Sequence, residues 1–309
     1  MTGRAGVRVS RRLKRFGQAV AGRAAVAILK GMRLVPLDRL SAISAATMRT
    51  LGPWLKEHKT GRDNLTAAFP EKSPAEVEAI LRGVWDNLGR VAAEFAHIDR
   101  LWDYDETRQR LGRIMDADED RALMIKLRDD GKPALIFAAH FGNWELPALL
   151  GPVYDIPSTV LYRTPNLPAF AEAIREMRSG VMGTLVPTGL TAPGKLADAL
   201  RAGSHVAMLV DQYYVRGVEV TFFGRRTRAN PLIARLARHF DCPIHGVYAV
   251  RHPGGRLRLH ATDAIVPVRD ANGEIDVEGT MQEITSEVER WIRAHPEQWL
   301  WVHRRWRDA

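Results

Sequence analysis

From about residue 131 onward, short apolar runs alternate with stretches of helical periodicity. The runs are "PALIFAA", "STVLYR", "HVAMLV", "PIHGVYAV" and "RLRLHAT", with "EVTFF" as a further one. Helical segments lie near 168–179, 192–202 and 229–240, and "VEGTMQEITSEVERWIRAH" is a late helix closed by His295-Pro296. Such alternation predicts an α/β fold with a central mixed, partly parallel sheet flanked by helices. Residues 36–129 read as mostly helical. The best-marked helix there starts at Ser73, a good N-cap, with Pro74 at the first helical position and Glu76 completing a capping box. Val77, Ile80, Leu81, Val84, Trp85 and Leu88 then line one face, and Trp85 reads as core.

Composition narrows the function without choosing it. Apolar residues make up 46% and charged ones 26% of the 309 positions, which describes a folded chain and excludes a disordered one. A formal charge of +9 favours anionic partners: nucleic acid, a negatively charged membrane, or an acidic carrier protein. No finger, RNP or helix-turn-helix signature is present and the basic residues are dispersed, so a nucleic-acid partner is not expected. The lone cysteine, Cys242, rules out an intramolecular disulfide and reads as a buried structural thiol. His239, His245, His252 and His260 lack a ligand spacing, and no metal is expected.

Arg4, Arg8, Arg11, Arg12, Lys14 and Arg15 open the chain with no acid among the first fifteen residues. A spanning helix needs roughly 20 apolar residues. Arg23, Lys30 and Arg33 interrupt the only segment that could supply them. Leu13, Phe16, Val20, Ala24 and Ala27 recur at helical spacing beside these bases. Two readings fit: a helix lying among the headgroups of an anionic leaflet, or a disordered basic arm leading into a core helix. The expected organisation is a basic amphipathic membrane-association segment over 1–35 and a single domain over 36–309. That domain has a helical lead-in to 130 and an α/β part from 131.

The chemistry centres on "AAHFGNWEL" at 138–146. A strand ending near Ala139 puts His140 in the turn at its carboxyl end, where open α/β sheets bind ligands. Within one helix, His140 and Glu145 would point about 140° apart. With Phe141-Gly142 making a turn and a helix starting around Asn143, Glu145 can reach back to the imidazole. A histidine oriented by a carboxylate can take a proton from a hydroxyl. The plain alternative is a loop histidine and a glutamate favoured by a helix N-terminus. If the strands are parallel, Arg163 after "VLY" and Asp211 after "AMLV" share the edge with His140. Arg225, Arg226 and Arg228 follow a glycine, and Arg304, Arg305 and Arg307 end the chain. Such arginines near a base suit a substrate rich in phosphates.

"HFGNWE" resembles the H-x4-D/E motif of glycerolipid-type acyltransferases. Five further stretches extend the resemblance: "RDNLTAAFPEKS", "YRTPNLP", "DQYYVRGVEVTFFGR", "ANPLIARLARHFDCPI" and "PEQWLWVHRRWR". With these the chain resembles the lipid A biosynthesis (lauroyl/myristoyl) acyltransferases over about 60–307. The resemblance implies an α/β fold with an N-terminal membrane-associated segment. It implies His140 as general base, Glu145 as its partner, Arg163 on a phosphate, and Asp211 ordering the site through the arginines. Asn143 is implied in shaping the turn or touching substrate. Arg304 and its neighbours bind a sugar-phosphate head group or form a solvated basic tail.

The implied reaction moves a fatty acyl chain from acyl carrier protein to a hydroxyl of a lipid A precursor, at the cytoplasmic face of the cell inner membrane. No cofactor or covalent intermediate is expected. The family also includes enzymes that acylate other glycolipids, such as mannosylated phosphatidylinositol. A non-catalytic membrane scaffold is the alternative from another class.

Overall fold

The structure is a computed structural model that describes residues 3–103, 112–115 and 118–307. Four helices come first: α1 (Gly3–Met32), α2 (Leu37–Leu51), α3 (Lys56–Ala68) and α4 (Pro74–Ala96). The expected capping box opens α4. Ser73 N donates to Glu76 Oε2 at 2.8 Å, and Glu76 N donates to Ser73 Oγ at 3.3 Å. Val77, Leu81, Val84 and Trp85 are buried, as the periodicity predicts. Trp85 donates its indole N–H to His58 Nδ1 at 3.0 Å, so it belongs to the core.

The chain continues through β1 (Ile114–Met115), α5 (Asp118–Asp129), β2 (Leu135–Ala138), α6 (Leu146–Val153), β3 (Ser158–Tyr162), α7 (Pro168–Ser179) and β4 (Thr184–Pro187). Then come α8 (Ala192–Arg201), β5 (His205–Leu209), β6 (Val218–Phe222), β7 (Arg225–Ala229) and α9 (Leu232–Phe240). β8 (Ile244–Arg251), β9 (Leu257–Ala261) and α10 (Val277–Ala294) complete the series. Among the described residues, seven strands form one sheet in the order β1-β9-β8-β2-β5-β3-β4. All neighbours in it are parallel except the β8–β9 pair. The expected mixed, partly parallel sheet is therefore present, and more parallel than mixed. β2 lies inside it with Leu135 and Phe137 fully buried, which explains its unbroken apolar run.

Two strands lie outside the runs expected from the sequence, and one helix boundary shifts. "RRTRA" is β7, paired antiparallel with β6 as a separate ribbon. Its turn places Phe223 at φ 52° and Gly224 at φ 68°; positive φ at both central residues matches the twist of a two-residue hairpin. β4 gives little periodic signal, because its four residues are half exposed and end in proline. Helix α6 starts at Leu146, three residues later than expected, because Asn143 Oδ1 accepts Glu145 N–H at 3.0 Å and ties the turn first.

Among the described residues no helix is long and apolar enough to cross a membrane. α1 is helical rather than a disordered arm. It sets Gly22 against Ala169 of α7 and buries Leu29, while Phe16, Val20, Ala24, Ala27 and Ile28 stay exposed. The side chain of Leu13 lies outside the described residues.

Candidate active site

β2, β5 and β3 run parallel and side by side, so their carboxyl ends open on one edge. His140, Asp211 and Arg163 follow these three strands, and that edge carries all three. His140 and Asp211 each stand two residues beyond the last paired positions, Ala138 and Leu209. That register brings them into direct contact. The His140 imidazole Nδ1 lies 2.9 Å from Asp211 Oδ1, and the His140 backbone N–H donates to Oδ2 at 2.9 Å. Trp299 adds an indole N–H to Oδ2 at 2.8 Å. The carboxylate is thus held by three donors, and Nδ1 of the ring is committed to it.

The expected pairing of His140 with Glu145 is corrected here. Glu145 takes a two-pronged contact from Arg178 of α7, Nη2 to Oε1 at 2.5 Å and Nε to Oε2 at 2.9 Å. The reason is the delayed start of α6: the turn places Glu145 opposite α7, while the adjacent parallel strands place Asp211 beside the ring. Asp211 is therefore tied to His140 and Trp299, with two donors on Oδ2 and the imidazole on Oδ1.

The turn rests on a buried polar network. Asn143 is 1% exposed and donates to Glu94 Oε2 at 2.8 Å. Glu94, fully buried, is held by both terminal nitrogens of Arg251 at 2.5 and 2.8 Å. Arg251 Nε donates to Asn87 Oδ1 at 2.9 Å, and Asn87 Nδ2 donates to the Gly142 carbonyl at 2.9 Å. Asn143 thereby shapes the turn through its own side-chain bonds. Gly142 has φ +56°, and a Cβ there would sit 1.7 Å from the Ala249 carbonyl oxygen, so no other residue fits. Gly142→Ala is expected to destabilise the fold by more than about 2 kcal/mol, read from denaturant midpoints.

Burial disfavours the imidazolium, but the charge and hydrogen bond of Asp211, with the charge of Glu145, outweigh it and hold His140 above its ordinary pKa. Asp211 is pulled the other way: burial would raise it, yet His140 and Trp299 bring it down to about 2. The carboxylate therefore stays ionised over the whole working range. Burial lifts the Cys242 thiol to about 11, in keeping with a structural role.

His140 faces a cavity of about 350 Å³. Its rim carries Arg163, Arg178, Tyr213 and Tyr214; its floor is the apolar sheet face of Ile136, Val160 and Ala207. Those floor residues also line a smaller chamber of about 40 Å³ reaching back under α6. Gln212 brings its amide nitrogen to 3.3 Å from His140 Nε2, the ring atom that Asp211 leaves free. Arg304 is exposed, whereas its neighbour Arg305 is buried. Trp299, Gln212 and Arg178 were not singled out by sequence reasoning. Gln212 adjoins Asp211 and could have been; the other two meet the site only through tertiary folding.

A search of curated proteins found no match to the chain. The family model described as "Bacterial lipid A biosynthesis acyltransferase" matches residues 10–308, nearly the whole chain, and includes every site residue named above. The chain, with its histidine–carboxylate pair opening on an apolar cavity, belongs to the lipid A biosynthesis acyltransferase family and is an acyltransferase.

Proposed function

We propose that the protein transfers a fatty acyl chain from acyl carrier protein to a hydroxyl of a lipid A precursor, with His140 as general base and Asp211 as its carboxylate partner. The observation that carries this reading is the committed Nδ1 of His140. With that nitrogen donating to Asp211, Nε2 is the basic atom. The acceptor hydroxyl gives its proton to Nε2 as its oxygen attacks the thioester carbonyl. The carbon–sulfur bond then breaks, and the thiolate leaves with the proton returned by the imidazolium. No covalent enzyme intermediate is needed, and no cofactor enters. Arg163 at the rim supplies a charge for a phosphate of the acceptor or donor, and exposed Arg304 adds to the basic surface toward the head group.

The cavity floor supports an acyl tail. Ile136, Val160 and Ala207 face it from three adjacent strands, and a chain entering past His140 would run under α6. Ala207→Leu is expected to lower transfer of long-chain donors by about tenfold or more relative to short ones. Competition assays with donors of two lengths check this; equal losses for both would remove the tail from this floor.

α1 supports attachment to a membrane surface. Residues 1–37 hold nine basic residues and no acid, which equals the whole formal charge of +9; the other 36 bases balance the 36 acids. The outward stripe of Phe16, Val20 and Ile28 beside these bases suits an anionic leaflet at the cytoplasmic face of the inner membrane. The remaining chain, 36–309, works as one acyltransferase domain; its charges balance overall, and exposed Arg163 and Arg304 offer local positive charge to an acidic carrier protein as donor.

The experiment is lipid mass spectrometry of cells with and without the protein, paired with transfer assays on wild type and His140→Ala. A missing acyl group on lipid A supports the reading. A changed mass on another glycolipid would move the acceptor, and full transfer by His140→Ala would refute the base. The pH profile gives a further check. His140 must be neutral to accept a proton, so kcat/KM rises with pH through its pKa, which lies above the ordinary histidine value.

A further inference from the structure

Arg305 is 2% exposed. Its Nη1 donates to two neutral acceptors, Thr227 Oγ1 and the Arg228 carbonyl, each at 2.8 Å. Its Nε is buried with no partner, and its guanidinium lies over the Phe222 ring at 5.2 Å. Among the described residues no carboxylate pairs with it. A buried, unpaired guanidinium is costly, and a neutral side chain of similar size would be more stable there. The carboxylate whose charge reaches it is that of Asp211. An aromatic layer lies between them: Phe222 packs edge-on to Trp299 at 5.5 Å, and Trp299 donates to Asp211. Charges separated by such a water-free layer are weakly screened.

We propose that Arg305 is a positioning residue acting through Asp211, the fixed counter-charge that keeps the His140–Asp211 pair in its neutral-imidazole form. With His140 neutral, the pair carries one negative charge, and Arg305 balances it. Protonating His140 in the resting site would leave an unbalanced positive charge. Asp211 alone favours the imidazolium, which cannot act as a base; Arg305 opposes that tendency. The other charges facing His140 are Glu145, held by Arg178, and His303 from the C-terminal segment, itself near Arg307. Arg163 stands on the cavity rim. Unlike Arg305, which is buried without a paired carboxylate, Glu145 and Arg178 neutralise each other and Arg163 is exposed. The role as base-tuner rests on the proposed function, but the charge effect does not.

The test is a histidine-labelled NMR titration of His140 in the full chain, with kcat/KM against pH alongside. In Arg305→Gln the His140 midpoint is expected to rise by about 0.5–1 pH unit, and the acid limb of kcat/KM to move up with it. Thr227→Val removes a hydrogen bond of Arg305 but keeps its charge, so the midpoint should stay. Thr227→Asp gives Arg305 a counter-charge and should raise the midpoint as Arg305→Gln does. That variant carries the test if Arg305→Gln does not fold. An unchanged midpoint in the charge-altering variants, or an equal shift in Thr227→Val, overturns the proposal. Full transfer by His140→Ala would refute only the acyl-transfer reading, while the titration still judges Arg305.

Discussion

Asp211→Asn is expected to lower the single-turnover rate of acyl transfer by about three to four orders of magnitude while the protein stays folded. The exchange keeps size and shape but reverses what the side chain offers the ring. An amide can donate to Nδ1, which moves the imidazole proton to Nε2, the atom that accepts the substrate proton in the proposed mechanism. Asp211 Oδ2 also accepts the His140 backbone N–H and the Trp299 indole, so the amide has fewer lone pairs for three donors. Glu145→Gln should be far milder, about tenfold, because it weakens the brace to Arg178 and leaves the ring's partner in place. The two variants measured side by side decide which carboxylate works with the base. A silent Asp211→Asn with a dead Glu145→Gln would reverse the assignment.

Arg251→Met is expected to destabilise the protein by about 3–5 kcal/mol, read from denaturant midpoints. Glu94 is fully buried and receives both terminal nitrogens of Arg251. Removing the guanidinium leaves a carboxylate in the interior with only Asn143 to bond it. Asn87 loses its donor at the same time, and with it the anchor on the Gly142 carbonyl loosens. Activity should therefore fall along with stability, although Arg251 is remote from substrate in this reading. The double variant with Glu94→Met removes the uncompensated charge and should recover part of the loss. If Arg251→Met were as stable as wild type, the network would not be what holds the turn.

The parts of this protein that were legible in its sequence are those set by local pattern. The late helix, the capped α4 and the apolar strands β2, β3, β5 and β8 follow from periodicity and turn chemistry acting over a few residues. β7 was missed because Arg225, Arg226 and Arg228 give it no apolar alternation, and its partner strand supplies the reason it is extended. The gathering of His140, Arg163 and Asp211 on one edge needed only the parallel sense of the strands. Which carboxylate meets the ring needed their order, β2 beside β5, and that order is a property of the packed sheet. A five-residue spacing made Glu145 the obvious partner, yet the turn bond from Glu145 N–H to Asn143 and the reach of Arg178 settle its position instead. Arg304 and Arg305 are indistinguishable as letters, and only packing sends one into the interior.

The lacing of the C-terminal segment onto the catalytic turn bears on how the protein is made. Gly142 N–H donates to the Gln298 carbonyl at 2.8 Å, Leu300 N–H to the His140 carbonyl at 3.1 Å, and Trp299 to Asp211. The first two pairs lie some 160 residues apart in the chain and the third 88, so the turn that carries His140 emerges from the ribosome long before its support does. At about 5–20 residues per second the interval is on the order of ten to thirty seconds. During it the nascent chain lacks the bonds that brace His140 and its turn. The turn around His140 is therefore fully braced only once the segment around Trp299 has been made.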